Sequence, residues 1–561
     1  MPDIKLDKQM TETQKELVKD QIGYLEAVRE ERSKVEDVWQ DIADYVLPRV
    51  TEIKGGREPQ PRRYGEKMYN SEPVSALRLA SDGTSGYMMP RTSQWVQMQP
   101  MDKDLYKIPG VRKFYQESTE ALHSELNRSN YYGAMTPVLD HGFSLGTSVV
   151  YVENDDESNS CQLIAMDPAE MYIAENRYRK VDTFYRSHWV TGKHLVERYP
   201  DSIDQDLEQQ IKKNPWKRYE VLHCVFKRND RIHGRIDAAN KPIASIHILV
   251  EKNHLLRESG FDYPHFVAWR HRSIANTPYG GSPAWDALVT ILRLNAHSMD
   301  LLDASHLAVR PPIAFPAEMS DYDISPNGAN PYKVPGRVPH RIDVLGDFPV
   351  GLDREQAIEK AIRDHFQTDF FLLLTQNDRQ KTAFEVSEMA GERAAVMSTV
   401  IGRIESELID PLLEVIYRVA AENGRMPEPP PALLEAGAGQ FTWEYVGPLS
   451  QLQKRHHGQQ TRTQILGQAA PIFELFPDSR DVIDGDQLLR EHLQEGGMNA
   501  DVVREEDMVA KIRQARAEQE MQAQQMEAAQ AMGGPKAPEP GSPADMMMEE
   551  GANARATPRD L

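Results

Sequence analysis

Apolar residues recur at helical spacing in two long segments of the chain, on either side of a short polar stretch. In the first segment, Ile358, Ile362 and Phe366 lie one helical turn apart, which is the period of an amphipathic helix. The second segment carries a similar apolar stripe and stops at an Asn-Gly pair, a common signal for a helix end. Residues 375–385 between them are polar and partly basic. We therefore predict a helical hairpin over residues 353–424 that ends in a charged finger.

The second helix of this hairpin is predicted to be longer than an ordinary globular helix, which has about 11 to 12 residues. It contains Pro411. Proline lacks an N–H group, and its ring clashes with the carbonyl four residues earlier, here that of Glu407. We therefore expect a kink at Pro411.

Two groups of polar residues are candidates for contact with a partner. The finger supplies Asn377, Asp378, Arg379, Gln380 and Lys381. A second, basic cluster follows a strand-like segment and comprises Lys227, Arg228, Arg231 and Arg235. The finger is also compatible with an ordinary solvated turn, and the basic cluster with a hairpin whose charges prevent edge pairing. If a ring placed many fingers around one axis, however, their weak contacts would combine into a collar of positive charge.

The remaining segments alternate between helical and strand-like patterns, so the predicted fold class is α+β and mostly helical. The helical segments are 10–47, 71–84, 111–128, 191–213 with a break at Pro200, and 282–309. The strand-like segments include 146–188, 218–227, 243–251, 265–271 and 441–445. From about Gln519 the chain becomes rich in Gln, Met, Ala and Glu, and then in Gly, Pro and Ser, which predicts a frayed helix that leads into disorder.

Composition and charge narrow the classes of function. The chain has 561 residues, 40% of them hydrophobic, and a formal net charge of −21, so we expect about three to four domains and no simple high-affinity nucleic-acid binder. Its longest apolar runs are too short for a membrane span. The start lacks the apolar stretch of a secretory signal, and Cys161 and Cys224 are the two cysteines. We expect assembly in a reducing cytoplasm, with both thiols buried as small hydrophobes.

One catalytic motif occurs in the chain. Residues 142–146 match the G-x-S-x-G pattern that would make Ser144 a hydrolase nucleophile. That motif requires a strand before the serine and a helix after it, whereas the pattern here predicts the reverse order. A tight glycine turn is therefore the preferred interpretation, and a serine hydrolase remains an alternative. No phosphate-binding loop, His-Glu-x-x-His or Cys-x-x-Cys motif occurs, so we expect no cofactor and no metal site.

Several short motifs, in order, resemble the portal, or head-to-tail connector, proteins of short-tailed double-stranded DNA phages. These motifs are Ser-Asp-Gly-Thr-Ser-Gly-Tyr-Met-Met-Pro at 81–90, Gln-Trp at 94–95, Gly-Phe-Ser-Leu-Gly-Thr at 142–147, Lys-Thr-Ala-Phe-Glu-Val at 381–386, Glu-Leu-Ile-Asp-Pro-Leu at 407–412 and Tyr-Val-Gly-Pro-Leu at 445–449. The resemblance covers most of residues 15–460.

The resemblance implies a portal fold and a ring of twelve subunits around a channel. By analogy, the regions are wing at 1–190, first stem helix at 191–213, clip at 214–281, second stem helix at 282–309, wing β segment at 310–352, finger hairpin and long kinked helix at 353–424, crown at 425–518 and a low-complexity tail at 519–561. The finger corresponds to a tunnel loop that projects into the channel, and the basic cluster to a motor-facing and adaptor-facing surface.

The resemblance also implies a function without enzymatic activity. The ring would lie at one capsid vertex of the virion, assembled in the cytoplasm of the bacterial host. Double-stranded DNA would pass through it during packaging and ejection. Its partners would be the terminase motor, tail adaptor proteins, and the major capsid and scaffolding proteins. A capsid or scaffolding subunit without a pore is a further alternative.

Overall fold

The computed structural model describes residues 10–53, 58, 60–108, 110–155, 157–228, 231, 237–309, 313–314, 340–341, 348–375, 397–435, 441–447, 485–486, 488–489 and 506–532. The chain divides into two compact units, Met1–Leu466 and Gly467–Leu561. In the second unit, helix α12 spans Glu506–Met532, and the predicted boundary of the tail at 519 falls within it.

The first unit begins with a long amphipathic helix, α1, over Glu12–Tyr45. Thr11 starts it with a capping box, in which the Thr11 hydroxyl accepts from the Gln14 backbone N–H and the Gln14 side chain accepts from the Thr11 N–H. Its buried residues, among them Leu25 and Trp39, fall on one face. The predicted helix at 10–47 is therefore confirmed.

Three more helices and a strand complete the N-terminal half of the core. They are α2 (Glu72–Met88), β1 (Val96–Pro100), α3 (Val111–Arg128) and α4 (Tyr131–Leu145). Helix α4 ends at Gly146, which adopts a left-handed conformation with φ of 83°, and strand β2 (Thr147–Asp155) follows directly. The predicted helix, glycine turn and strand are therefore confirmed at this point.

Two antiparallel sheets form the central part of the fold. A three-stranded sheet has the order β3-β2-β9, and a five-stranded sheet has the order β4-β5-β6-β7-β8. The strands are β3 (Ser160–Ala165), β4 (Met171–Glu175), β5 (Val181–Thr191), β6 (Arg218–Lys227), β7 (Ile243–Leu249), β8 (His254–Phe261) and β9 (Phe266–Arg270). The sheet pairs β5 with β6 and so crosses the predicted wing-to-clip boundary at 214.

The segment predicted as the first stem helix contains two short helices, α5 (Gly192–Arg198) and α6 (Gln205–Lys213). Pro200 lies between them, where the sequence predicted an interruption. Leu195, Leu207 and Ile211 are buried in one cluster with Tyr219 and Val221 of β6. Both helices therefore pack on the five-stranded sheet.

A different pair of helices packs side by side. Helix α7 spans Pro283–Val309 and α8 spans Phe348–Phe366, and the two contact each other extensively. His297 of α7, for example, bonds the Gly351 carbonyl at 2.9 Å. Near α7, the two-residue strands β10 (Arg272–Ser273) and β11 (Gly280–Gly281) pair with each other, as do β12 (Ile313–Ala314) and β13 (His340–Arg341).

The predicted hairpin is described on both sides of its finger. Helix α8 is followed by Gln367, with φ of 54°, and by α9 (Thr368–Thr375). The chain is helical again at 397–403, then π-helical over Ile404–Ile409, and continues as α10 (Asp410–Glu422). Helix α11 (Pro431–Glu435) and strand β14 (Phe441–Tyr445) follow, and β14 pairs with β1. This pairing joins the end of the first unit to its N-terminal half.

Candidate functional site

The finger residues Asn377, Asp378, Arg379, Gln380 and Lys381 lie outside the described residues, as does Arg235 of the basic cluster. Their assignment to a channel or to a motor-facing surface stays a prediction. The described part of the basic cluster does not form one surface. Lys227 is exposed at the end of β6, and Arg231 is half-buried.

Arg228 differs from Lys227 because its side chain is buried in an ion pair. Its Nη1 lies 3.1 Å from Oε1 of Glu258 on β8, and the two side chains are only 9% and 8% exposed. A buried charge whose partner is also buried is held in place by that partner. The ion pair of Arg228 therefore links this residue to β8 of the five-stranded sheet. Lys227 is the better candidate for contact with another molecule.

Pro411 lies just after the π-helical turn. The Asp410 N–H donates to the carbonyl of Glu405, five residues earlier, in place of the usual four. Wider turns of this kind often accommodate a disturbance within a helix. The hydrogen bonding thus changes from π-helical to α-helical just before Pro411, the residue at which the sequence predicted a kink.

A charged cleft of about 810 Å³ borders this turn. On one side, Arg403 bonds Glu407 and the hydroxyl of Ser273. On the other side, Arg270 of β9 pairs with Glu175 and lies 3.6 Å from Glu407. Arg270 and Arg403 in the cleft wall are thus paired with carboxylates.

Ser144 is not placed for nucleophilic attack. It is fully buried near the end of α4, and its hydroxyl donates to the Asp140 carbonyl at 2.5 Å. Its own carbonyl accepts a hydrogen bond from the Ser282 hydroxyl. A nucleophile must reach its substrate and a general base, and this hydroxyl is turned back onto its own helix. The environment of Ser144 therefore does not support the hydrolase alternative.

Helix α7 carries a surface feature that its helical pattern alone did not reveal. Its buried face packs on the rest of the fold through Ala284, Ala287, Ile291 and Leu294. The opposite side of the helix is exposed and carries apolar residues among the charged residues Asp286, Arg293, Asp300 and Asp303. We call its exposed apolar residues the α7 stripe; its members are Val289, Leu292, Ala296, Met299 and Leu307. Val289 is 78% exposed.

The first turns of the stripe have the spacing of a helix-packing seam. Val289, Leu292, Ala296 and Met299 are separated by three, four and three residues. A seam with this spacing suits a second helix laid alongside. Since α8 covers a different side of α7, the stripe is open in the isolated chain.

Two other kinds of site receive no support from the described part of the chain. Among those residues, no group of three or more His, Cys, Asp or Glu side chains is arranged to hold a metal ion. None of the described helices combines the length and apolar character of a membrane span.

Comparison with protein families identifies the class. Residues 19–503 match the model of the bacteriophage head to tail connecting protein family. The match spans most of the chain, so this chain belongs to that family. The resemblance to portal, or connector, proteins is thereby confirmed.

Two curated relatives agree with this assignment over nearly their whole length. The chain is 24% identical over 539 residues to the portal protein of Salmonella phage epsilon15, covering 93% of this chain and 94% of the relative. It is 25% identical over 531 residues to the probable portal protein of Bordetella phage BPP-1, covering 92% and 93%.

A solved structure, described as the virion of a native gene transfer agent particle, also matches. It is 11% identical, covers 72% of this chain and 86% of its own, and gives a TM-score of 0.34. That similarity is too low to support conclusions about the fold.

Proposed function

We propose that this chain is a phage portal protein, a structural subunit of the virion that joins the head to the tail. Family membership and the two portal relatives support this proposal. In the more specific form of this proposal, twelve copies form a ring at one capsid vertex. Double-stranded DNA passes through the ring during packaging and ejection, and the terminase motor and tail adaptor proteins dock on it in turn. Capsid and scaffolding proteins surround it.

The observation that carries the ring is the exposed α7 stripe. Besides its buried face, α7 exposes the apolar side chains of the stripe to solvent. Contiguous exposed apolar surface on a water-facing protein usually marks an interface. In a closed ring, each copy presents one surface to the neighbour on one side and a different surface to the neighbour on the other. The stripe is the best candidate for one of these two surfaces.

The helix contacts also support a revised choice of stem helices. The resemblance implied 191–213 and 282–309 as the pair. Helices α5 and α6 within the first range pack on a sheet, however, whereas α7 and α8 pack on each other. We therefore assign the stem to α7 and α8. The intervening segment, with β12 and β13 at its two ends, then takes the place of the clip.

Substitutions in the stripe test the ring. In the variant Val289→Gln/Met299→Gln, both residues are exposed in the monomer, so the fold should tolerate the change. Loss of a buried apolar side chain costs about 1.5–3 kcal/mol, so each subunit contact should weaken by more than tenfold. Mass photometry and negative-stain images should then show fewer rings and more monomers than wild type.

A matched control separates assembly from general surface effects. Lys113→Gln/Glu117→Gln alters two exposed positions of α3 that form an ion pair and leaves the net charge unchanged. It should form rings as wild type does. Wild-type protein that remains monomeric under all conditions, including in virions, would rule out the ring. A ring without a central hole would favour a capsid or scaffolding subunit.

The finger is tested separately with Arg379→Ala/Lys381→Ala. If these side chains contact DNA in the channel, DNA packaging or retention should change while rings remain intact. The double variant Lys15→Ala/Lys113→Ala removes the same charge from exposed helix positions and should behave as wild type. Unchanged packaging and retention in the finger variant would remove the role assigned to Arg379 and Lys381.

A further inference from the structure

The turn between β4 and β5 is a well-ordered basic hairpin tip, formed by Asn176, Arg177, Tyr178, Arg179 and Lys180. The Asn176 N–H donates to the Lys180 carbonyl, and the Arg179 N–H donates to the Asn176 carbonyl, both at 2.9 Å. The Asn176 side-chain oxygen accepts from the backbone N–H groups of Tyr178 and Lys180 at 2.9 and 3.2 Å. Four hydrogen bonds within five residues thus fix the backbone of the tip.

Arg179 adopts a conformation that side chains rarely take. Its φ is 58°, the left-handed region in which Gly, Asn and Asp are the usual residues. From beneath, Nη2 of Arg270 donates to the Arg179 carbonyl at 2.9 Å, and Arg270 is itself held by Glu175. A strained residue that is held from several sides is a frequent feature of functional positions. Arginine occupies this position although glycine would adopt the same backbone conformation with less strain.

The side chains of the tip expose three positive charges to solvent. Arg177, Tyr178, Arg179 and Lys180 are all exposed, Tyr178 to 69%. The Arg177 guanidinium stacks 4.6 Å from the centre of the Tyr178 ring and donates to its hydroxyl at 2.6 Å. The Arg177 side chain is therefore held by the neighbouring ring, and the backbone of Arg179 is held by hydrogen bonds.

The three cations also lack carboxylate partners within the part of the chain that the structure describes. No described Asp or Glu lies within ion-pair distance of Arg177, Arg179 or Lys180. The neighbouring cations differ: Arg270 pairs with Glu175, and Arg418 with Glu414. In a chain of net charge −21, these three exposed cations without a described ion-pair partner form a candidate surface for contact with another molecule.

We propose that this hairpin tip contacts the phosphate backbone of DNA. The inference rests on the proposed function, because a portal is the setting in which DNA meets this chain. Arginine suits the task, since its planar group binds phosphate in a bidentate manner. A fixed tip also loses little conformational entropy on binding.

The surroundings favour DNA over an acidic polypeptide. Asp262, Glu407 and Glu414 line the same cleft as Arg179 and Lys180, and these carboxylates would repel an acidic peptide that entered the cleft. A duplex cannot fit into a cleft of about 810 Å³, whereas the exposed side chains of the tip are accessible to it. The free charge is therefore available to a phosphate backbone that lies across the mouth of the cleft.

The test compares two triple variants of the full chain. The tip variant is Arg177→Gln/Arg179→Asn/Lys180→Gln; it keeps a residue at 179 that tolerates positive φ. The control is Lys15→Gln/Lys34→Gln/Lys113→Gln, three lysines that each pair with a glutamate on an exposed helix. Both variants lower the net charge by the same amount. Fluorescence anisotropy with a short labelled DNA duplex is measured across a salt series, and mass photometry reports rings in the same samples.

The tip variant should bind DNA more weakly than the control, with a shallower dependence of affinity on salt. Each lost phosphate contact lowers the log–log slope by about 0.9, so three contacts lower it by up to about 2.7. Equal affinity and slope in the two variants would overturn the proposal.

Two further outcomes separate this inference from its alternatives. Wild-type rings that fail to bind DNA at low salt would overturn the tip assignment and leave the ring intact. Absence of rings would instead contradict the proposed function. If the tip variant loses affinity for poly-L-glutamate but keeps its affinity for DNA, the tip binds acidic protein, and the DNA assignment is wrong.

Discussion

Gly146, at the end of α4, lies against Gly280, just before α7. A substitution at Gly146 therefore tests how this contact holds the start of α7. Gly146 ends α4 in the left-handed region, and its N–H donates to the carbonyls of His141 and Gly142. A Cβ atom at this position would lie 2.2 Å from the Gly280 carbonyl oxygen. Gly280 belongs to β11, which leads directly into α7. The substitution Gly146→Ala therefore strains the backbone and pushes against the base of the helix that carries the α7 stripe.

The magnitude follows from these two effects. A left-handed conformation costs a residue with a side chain about 1–2 kcal/mol. Forcing an extra carbon into a closely packed site costs about 1–3 kcal/mol. The neighbouring contacts resist relaxation, because Thr147 Oγ1 accepts from the Gly280 N–H at 2.8 Å and the Gly146 carbonyl accepts from the His271 N–H at 3.0 Å. We expect Gly146→Ala to destabilise the first unit by about 2–5 kcal/mol.

The assay is thermal unfolding at a fixed scan rate, together with the yield of rings. Gly146→Ala should lower the midpoint by roughly several degrees and reduce ring yield, because the start of α7 is displaced. Gly133→Ala is the matched control in the same helix. It is exposed, its added Cβ would meet nothing within 4 Å, and it should change stability by at most about 1 kcal/mol, in the favourable direction. A Gly146→Ala midpoint equal to wild type, or an equal loss in Gly133→Ala, would refute the reasoning.

Three further predictions concern buried polar groups. Glu258→Gln leaves the Arg228 charge buried without its partner and should destabilise the protein by about 3–5 kcal/mol, seen as a lower thermal midpoint. Burial, with nearby arginines, lowers the pKa of His188 to about 3. The unfolded chain, in which this pKa is about 6.5, therefore takes up the proton at a higher pH than the folded protein does, and the protein loses stability as pH falls from about 6.5 toward 3. His188→Phe removes this difference and should flatten acid destabilisation by up to about 1.4 kcal/mol per pH unit. Burial raises the pKa of Cys161 to about 12 and that of Cys224 well above its ordinary value, so a maleimide should label neither thiol until the protein is unfolded.

Each of these predictions has a clear contrary result. For the ion pair, the control is Glu251→Gln, which breaks an exposed pair with Lys217 and should cost less than about 1 kcal/mol; equal losses in the two variants would show that Arg228 is not truly buried. For the histidine, an acid profile identical to wild type would assign the pH dependence to other groups. For the thiols, rapid labelling of the folded protein would contradict their burial.

Local patterns in the sequence predicted those elements whose cause is local. Helix α1 follows from its capping box and apolar period, and the turn at Gly146 follows from two glycines between a helical and a β-branched segment. The burial of both cysteines was also predicted from their apolar, strand-like surroundings and is confirmed. In each case the neighbours in sequence are also the neighbours that decide the conformation.

The features that the sequence did not reveal depend on distant partners. The basic cluster gave no sign that Arg228 pairs with Glu258, since that contact arises only when β6, β7 and β8 form a sheet. The pairing of β5 with β6 is likewise nonlocal, and it places α5 and α6 on a sheet. The hairpin tip lies within residues 146–188, whose sequence pattern predicted one strand-like stretch without a turn at 176–180. Its significance lies in the positive φ of Arg179 and in the lack of a described ion-pair partner for its three cations, which are properties of the folded chain.

The two proposed surfaces respond to salt in opposite directions, which allows them to be separated in one titration. Copies of a chain with net charge −21 repel each other, and salt screens that repulsion, whereas contact through the apolar α7 stripe does not depend on charge. Ring formation should therefore strengthen as salt rises. DNA binding through the hairpin tip should weaken over the same range, because each phosphate contact releases counterions. Rings that dissociate as salt rises would show that ion pairs, and not the α7 stripe, hold the subunits together.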